Sequence, residues 1–148
     1  MKTPTRALCI VLMIILSAGV VGCLSQEVPL SDEMKAQILG YAEPIADNLF
    51  QGFNADNYTM YSRDFSRELK DALNEAAFEQ NRALIVSRIG VYLSRSSPVI
   101  VAEGEFVSVL YKADFEQEQG VDVRIVFRRN DTSHQIYGLW FNSPKLRA

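Results

Sequence analysis

Asp64 and Tyr61 are the residues whose types and spacing come closest to doing chemistry. With Tyr111 as a second phenol, they could supply a carboxylate base and an oxyanion donor, the pair that an isomerase or hydratase keeps inside a cavity. Asp64 is followed by Phe65 and Ser66, so it reads equally as a helix cap, and that reading is preferred. The chain has one histidine, His134, placed after a polar turn where exposure is expected. No Ser–His–Asp or Cys–His arrangement can be assembled from it. No cluster of His, Cys, Asp and Glu has metal-ligand spacing, so neither a metal nor a cofactor is expected. Glu116 and Glu118, and Glu103 and Glu105 around Gly104, read as solvated charges at turns. The catalytic set is therefore expected to be empty. Tyrosines are numerous for a small domain: Tyr41, Tyr58, Tyr61, Tyr92 and Tyr111. A pocket lined by Tyr61, Asp64, Phe65, Tyr92 and Tyr111 would hold a small ligand. The alternative is a set of half-buried aromatics whose hydroxyls reach backbone or water.

The N-terminus carries a targeting pattern. Lys2 and Arg6 precede an apolar run from Ala7 to Val21, too short for the ~20 residues of a bilayer span. Val20, Val21, Gly22 and Cys23 then resemble a lipobox, which implies cleavage before Cys23 and acylation of its thiol. The alternative is an uncleaved helix with its basic end inside. Either way the domain is expected outside the cytoplasm, anchored to the membrane at its N-terminus, stably so with two or more acyl chains. The expected division is a signal segment over 1–22, the lipidated cysteine and a short tether over 23–30, and a single domain over 31–148. Cleavage removes Lys2 and Arg6 from the 15 basic residues and none of the 18 acids, for a net charge of about −5. Such a domain is a poor prospect for nucleic acid. Cys9 leaves as well, so no thiol remains for a disulfide, a metal or a nucleophile.

The domain opens with helical patterning. Ser31 reads as an N-cap, with Asp32 and Glu33 in a first turn that favours acids. Met34, Ile38, Tyr41, Ile45 and Leu49 form one apolar face to about Phe50, with Pro44 expected to kink it and Gly52 to stop it. Asn57 caps a short helix with Tyr58, Met60 and Tyr61. Asp64 opens another that holds Phe65, Leu69 and Leu73. Asn74 caps a longer helix from Glu75 to Gly90. Ile89 to Ala102 alternates weakly around Pro98, which suits a bent edge strand.

Period-two alternation then dominates. Val107, Val109, Tyr111, Ala113 and Phe115, followed by Val121, Val123, Ile125 and Phe127, give two strands with one apolar face toward a core. A loop of Glu118, Gln119 and Gly120 is expected, with Gly120 left-handed, Asp114 paired to Arg124 and Phe115 to Val123. A third strand runs from His134 to Phe141, with Tyr137, Leu139 and Phe141 inward. The opposite face carries Phe106, Leu110, Val126, Ile136 and Trp140, a patch that suggests a homodimer or a protein partner unless the C-terminal tail or the bent strand covers it. The fold class is α+β, with N-terminal helices on a curved four-stranded antiparallel sheet.

The element order resembles the nuclear-transport-factor-like α+β cone superfamily, and within it an extracytoplasmic branch known only as a domain of unknown function. The resemblance is carried by Ile45 to Phe50, Asp56 to Tyr58, Asp64 to Ser66, Ile89 to Tyr92, Tyr111 to Phe115, Val123 to Phe127 and Gly138 to Phe141. It spans about Leu30 to Phe141, implies a curved sheet around a cavity closed by helices, and brings no catalytic residues. The leading functional expectation is a non-catalytic, membrane-anchored binding module for a small ligand or a protein. A small isomerase or hydratase and a structural envelope protein are the alternatives.

Overall fold

In a computed structural model, which describes residues 29–148, four helices precede a five-stranded antiparallel sheet. The signal segment, Cys23 and most of the tether lie outside the described residues. Helix α1 is Asp32–Asn54, capped by the Ser31 side chain on the Met34 amide, with Asp32 and Glu33 in its first turn. It runs through Pro44 and past Gly52. Burial of Ile38, Ala42, Ile45, Leu49, Phe50 and Phe53 along one face outweighs the single bond that a proline withholds from the ladder. Gly52 is therefore an interior contact residue instead of a stop. A Cβ there would lie 2.4 Å from the Tyr61 amide nitrogen. Helix α2, Tyr58–Tyr61, crosses at this point and is capped by Asn57.

Helix α3 is Arg67–Ala72, and its cap is Ser66 instead of Asp64. The Asp64 carbonyl accepts the Ile136 amide at 2.7 Å, and the Ser66 amide donates back to the Ile136 carbonyl at 2.8 Å. This small bridge sets Asp64 two residues ahead of the cap. Helix α4, Glu75–Ile89, is capped by Asn74 and stops at Gly90, whose φ of 84° is left-handed.

Strands β1 (Tyr92–Arg95) and β2 (Val99–Glu103) lie end to end along one edge of β3 (Phe106–Phe115). They are the two halves of the bent edge strand, divided at Ser96, Ser97 and Pro98. Beyond β3 come β4 (Glu118–Arg128) and β5 (Ile136–Asn142), giving the order β1-β3-β4-β5 with β2 beside β3. The odd residues of β3, and those of β4 from Val121 to Phe127, face α1 and are buried. The β3–β4 register differs from the expected one: Lys112 opposes Asp122, Leu110 opposes Arg124, and Phe115 opposes Glu118 across an irregularity. Asp114 is turned to the hairpin instead of to an arginine. Its carboxylate accepts the Gly120 amide at 2.9 Å, where Gly120 takes a φ of 68°. The turn thus shortens to Glu116 and Gln117, and the ion pair that sets the register is Lys112–Asp122.

In β5 the faces invert. The register slips between Val126 and Phe127, so Phe127 opposes Ile136 while Ile125 opposes Leu139. Ile136 is only 1% exposed and belongs to the core, not to the outer patch. Tyr137 is the extra residue and turns outward, where Arg128 stacks on its ring at 4.5 Å. Leu139 and Phe141 still face inward. A last turn, α5 (Pro144–Arg147), docks on α4, with Arg88 donating to the carbonyls of Lys145, Leu146 and Ala148.

Gly52→Ala improves helix propensity yet drives a methyl into the α2 backbone. We expect a net loss of about 1–3 kcal/mol, the usual cost of overpacking. Urea unfolding of the variant checks this, and an unchanged midpoint would mean that α1 and α2 are not in close contact.

Candidate functional site

Aromatic side chains fill the space between the helices and the curved sheet. Phe53, Phe115 and Phe141 pack against one another with ring centroids 6.0 to 6.3 Å apart, and Phe50 stacks on Tyr92 at 3.9 Å. Phe65 and Tyr61 are buried with Phe78, and Tyr61 lies 4.6 Å from that ring. Burial pushes the Tyr61 phenol far above its ordinary value, so it stays protonated. The five residues expected to line one pocket are divided between two places. Tyr61, Phe65 and Asp64 stand at the α2–α3 corner, and Tyr92 and Tyr111 at the β1 side of α1.

At the corner, Asp64 is half-buried and already engaged. Arg63 Nη2 reaches Asp64 Oδ2 at 2.8 Å, and Asn48 Nδ2 donates to the same oxygen at 3.5 Å. Asn48 is also tied to the Met60 carbonyl at 2.7 Å. The carboxylate is thus tied to α1 through Asn48 and to the neighbouring Arg63, while the Asp64 backbone is tied to β5.

The other group is an ion-pair network centred on Arg95. Its register opposite Ala113 turns the side chain inward, under α1. Arg95 Nη2 bonds Glu43 Oε2 at 2.7 Å, and Nη1 bonds Asp47 Oδ1 at 2.6 Å and the Tyr92 hydroxyl at 3.3 Å. The Tyr111 hydroxyl donates to Glu43 Oε1 at 3.0 Å. Arg95 is 11% exposed, and its guanidinium lies over the rings of Phe50 and Tyr111. Its Nε finds no oxygen and is buried against those rings. Burial opposes the charge, but the bonds from Asp47, Tyr92 and Glu43 outweigh it and hold Arg95 cationic. Burial, then Glu43, raise the Tyr111 phenol as well. A cleft of about 660 Å³ opens beside this network, between Leu39 and the β1–β2 break. Sequence alone signalled Tyr92 and Tyr111, but not Arg95, Glu43 or Asp47, because their meeting depends on which way β1 faces.

His134 is not an exposed turn residue. It is half-buried, takes a φ of 51°, and stacks on Tyr41 with centroids 4.0 Å apart and planes within 7°. Asp131 holds the loop in this shape by accepting the amides of Ser133 at 2.9 Å and Gln135 at 3.1 Å. Those bonds, that of the Ser133 hydroxyl first, hold the Asp131 carboxyl below its ordinary value. Glu118 is likewise engaged, accepting the Ser143 hydroxyl at 2.5 Å.

On the outer face, Val99, Leu110, Arg124 and Trp140 oppose one another in turn across four strands. Trp140 is 55% and Val99 63% exposed. The Trp140 ring covers Gly138, where a Cβ would come within 2.4 Å of it, and Arg124 lies over the ring at 5.5 Å. Phe106 and Leu110 are half-buried and Val126 is buried. Among the described residues, neither the C-terminal tail nor the bent strand lies over this face. The tail docks on α4, and the bent strand lies in the sheet.

Fold and site together define an α+β domain in which aromatic rings fill the space beneath a curved open sheet, with a cleft at its β1 margin. The family of proteins of unknown function designated DUF3887 matches residues 46–139, and the chain belongs to it. No curated protein and no solved structure matches the chain. Among the described residues, no group of His, Cys, Asp and Glu is disposed to hold a metal ion, and no helix is long and apolar enough to cross a membrane.

Arg95→Ala removes two ion pairs and the cation over two rings, and leaves Glu43 facing Tyr111. Because Glu43 and Asp47 are partly exposed, the expected loss is about 2 kcal/mol, below that of a fully buried pair. Thermal unfolding measures it. A variant as stable as the parent would show that this network is ornamental to the fold.

Proposed function

We propose that the protein is a non-catalytic, extracytoplasmic binding module of the nuclear-transport-factor-like cone superfamily, tethered by an acylated Cys23, and that its outer sheet face docks a second copy of the same chain. The observation that carries this is the row Val99, Leu110, Arg124, Trp140, which no described residue is seen to cover. Helices followed by a curved antiparallel sheet favour the superfamily. The engagement of Asp64 by Arg63 and Asn48, and of Tyr111 by Glu43, weighs against the enzyme reading.

The row has the symmetry that pairing requires. A two-fold axis lying between the two sheets, parallel to the strands and midway between β3 and β4, exchanges β2 with β5 and β3 with β4. It sets Val99 of one copy against Trp140 of the other, about 14 Å from its own Trp140 at normal strand spacing. Lys112 then faces Asp122, and Phe106 faces Arg128. Each of these pairs already stands in register within one copy. A largely apolar row with one arginine, flanked by an opposite-charge pair and a cation–ring pair, is thus complementary to its own image. Tryptophan and arginine are also the side chains that most often carry interface energy.

Sedimentation equilibrium of the full chain in density-matched detergent tests this reading. A dimer is expected at tens of micromolar. Trp140→Ala weakens it about tenfold. Lys112→Glu abolishes it, and adding Asp122→Lys restores it, with unfolding midpoints measured alongside. A monomer at every concentration refutes the pairing. The anchor is tested by intact mass. The expected product begins at Cys23 and carries acyl chains, whereas an unmodified Cys23 with residue 1 retained refutes it.

A further inference from the structure

A second cleft lies on the inner side of the sheet, away from the outer face, so it stands independently of dimerisation. It measures about 540 Å³ and lies between the N-terminal half of α1 and the β4–β5 loop. That volume suits a molecule of a few rings or a short chain. Its walls are Met34, Ile38 and Val107, and its end is the stacked pair of Tyr41 and His134. The pair is fixed from behind, because Tyr41 also packs edge-on against Phe127, with centroids 5.2 Å apart. It is fixed from the loop side by the Asp131 bonds that hold His134. The cleft is thus built by elements that meet only in the folded chain, and the apolar surface facing it is a ready platform for a flat or aliphatic group.

Its mouth carries a cation with capacity to spare. Arg129 donates from Nη1 to the Gly104 carbonyl at 3.3 Å, and among the described residues no carboxylate forms an ion pair with it. Arg95 and Arg82, by contrast, are paired to acids. An arginine that keeps free donors at the rim of an apolar cleft matches an anionic group on a ligand whose remainder is apolar. We infer that this cleft binds a small amphiphile, with its apolar body against Tyr41 and His134 and a single carboxylate or phosphate at Arg129.

His134 is the chain's one histidine, so its imidazole gives a single reporter at the site. The experiment uses the full chain in phosphatidylcholine nanodiscs, with 13C-labelled histidine, and follows the imidazole resonances by NMR. The probes are 4-phenylbutyrate, phenyl phosphate and the uncharged 4-phenylbutanol. At least one anionic probe is expected to move the resonances saturably, and the stronger of the two identifies the anion class. The alcohol should bind about tenfold more weakly. Arg129→Gln should cost the anionic probe about tenfold and leave the alcohol unaffected, while Arg129→Lys keeps most of the affinity. Tyr41→Leu should move the His134 resonances before any probe is added, because it removes the stacked ring. Unmoved resonances with all three probes would overturn the inference, as would equal affinity of the anionic probe for the parent and Arg129→Gln.

Discussion

Everything in this domain depends on the burial of one face of the β3–β4 hairpin. Val107, Val109, Tyr111, Ala113 and Phe115 on one strand, and Val121, Val123, Ile125 and Phe127 on the other, are almost wholly removed from water. A slip of a single residue would turn every one of them to solvent, so the hairpin tolerates no such error. Helix α1 exists as a helix through Pro44 because this face needs a cover. Its own buried stripe, from Ile38 to Phe53, is what the sheet receives. The aromatic filling and the Arg95 network are consequences of how closely that helix lies.

The same constraint explains what was legible in the sequence. Period-two patterning revealed the inward residues of β3 and β4, and capping chemistry revealed α1, α2 and α4, because these signals lie within a few residues of one another. Register was not legible. Asp114 looked like a partner for Arg124, but its carboxylate is spent on the Gly120 amide, a hairpin bond that strand-to-strand charge matching does not foresee. Ile136 lies in the core because a bulge at Tyr137 puts the residue before it on the same face as Leu139 and Phe141 after it. Nothing in the local residue types distinguishes that from a regular strand.

The candidate site was legible only in fragments. Tyr92 and Tyr111 were visible as tyrosines, but their partners Arg95, Glu43 and Asp47 come from a helix and a strand far apart in the chain. His134 looked like a loop residue because a polar turn precedes it, and its ring partner Tyr41 lies at the other end of the domain. Asp64 and Ser66 are both good capping residues. The choice of Ser66 follows from the backbone bridge to Ile136, a tertiary bond. In each case the missing information was a contact between distant segments, which no local pattern contains.

The division of the edge strand at Ser96, Ser97 and Pro98 has a consequence for how the protein behaves in a crowd. A long, flat edge invites a foreign strand to add on and start a fibre. Here one border of the sheet is broken into two short pieces with a proline between them. At the other border the backbone of Ile136 is already engaged by the residues flanking Phe65. The first border thus offers no uninterrupted template, and the second is shortened at its start, which lowers the tendency of the sheet to grow by adding strands from its neighbours.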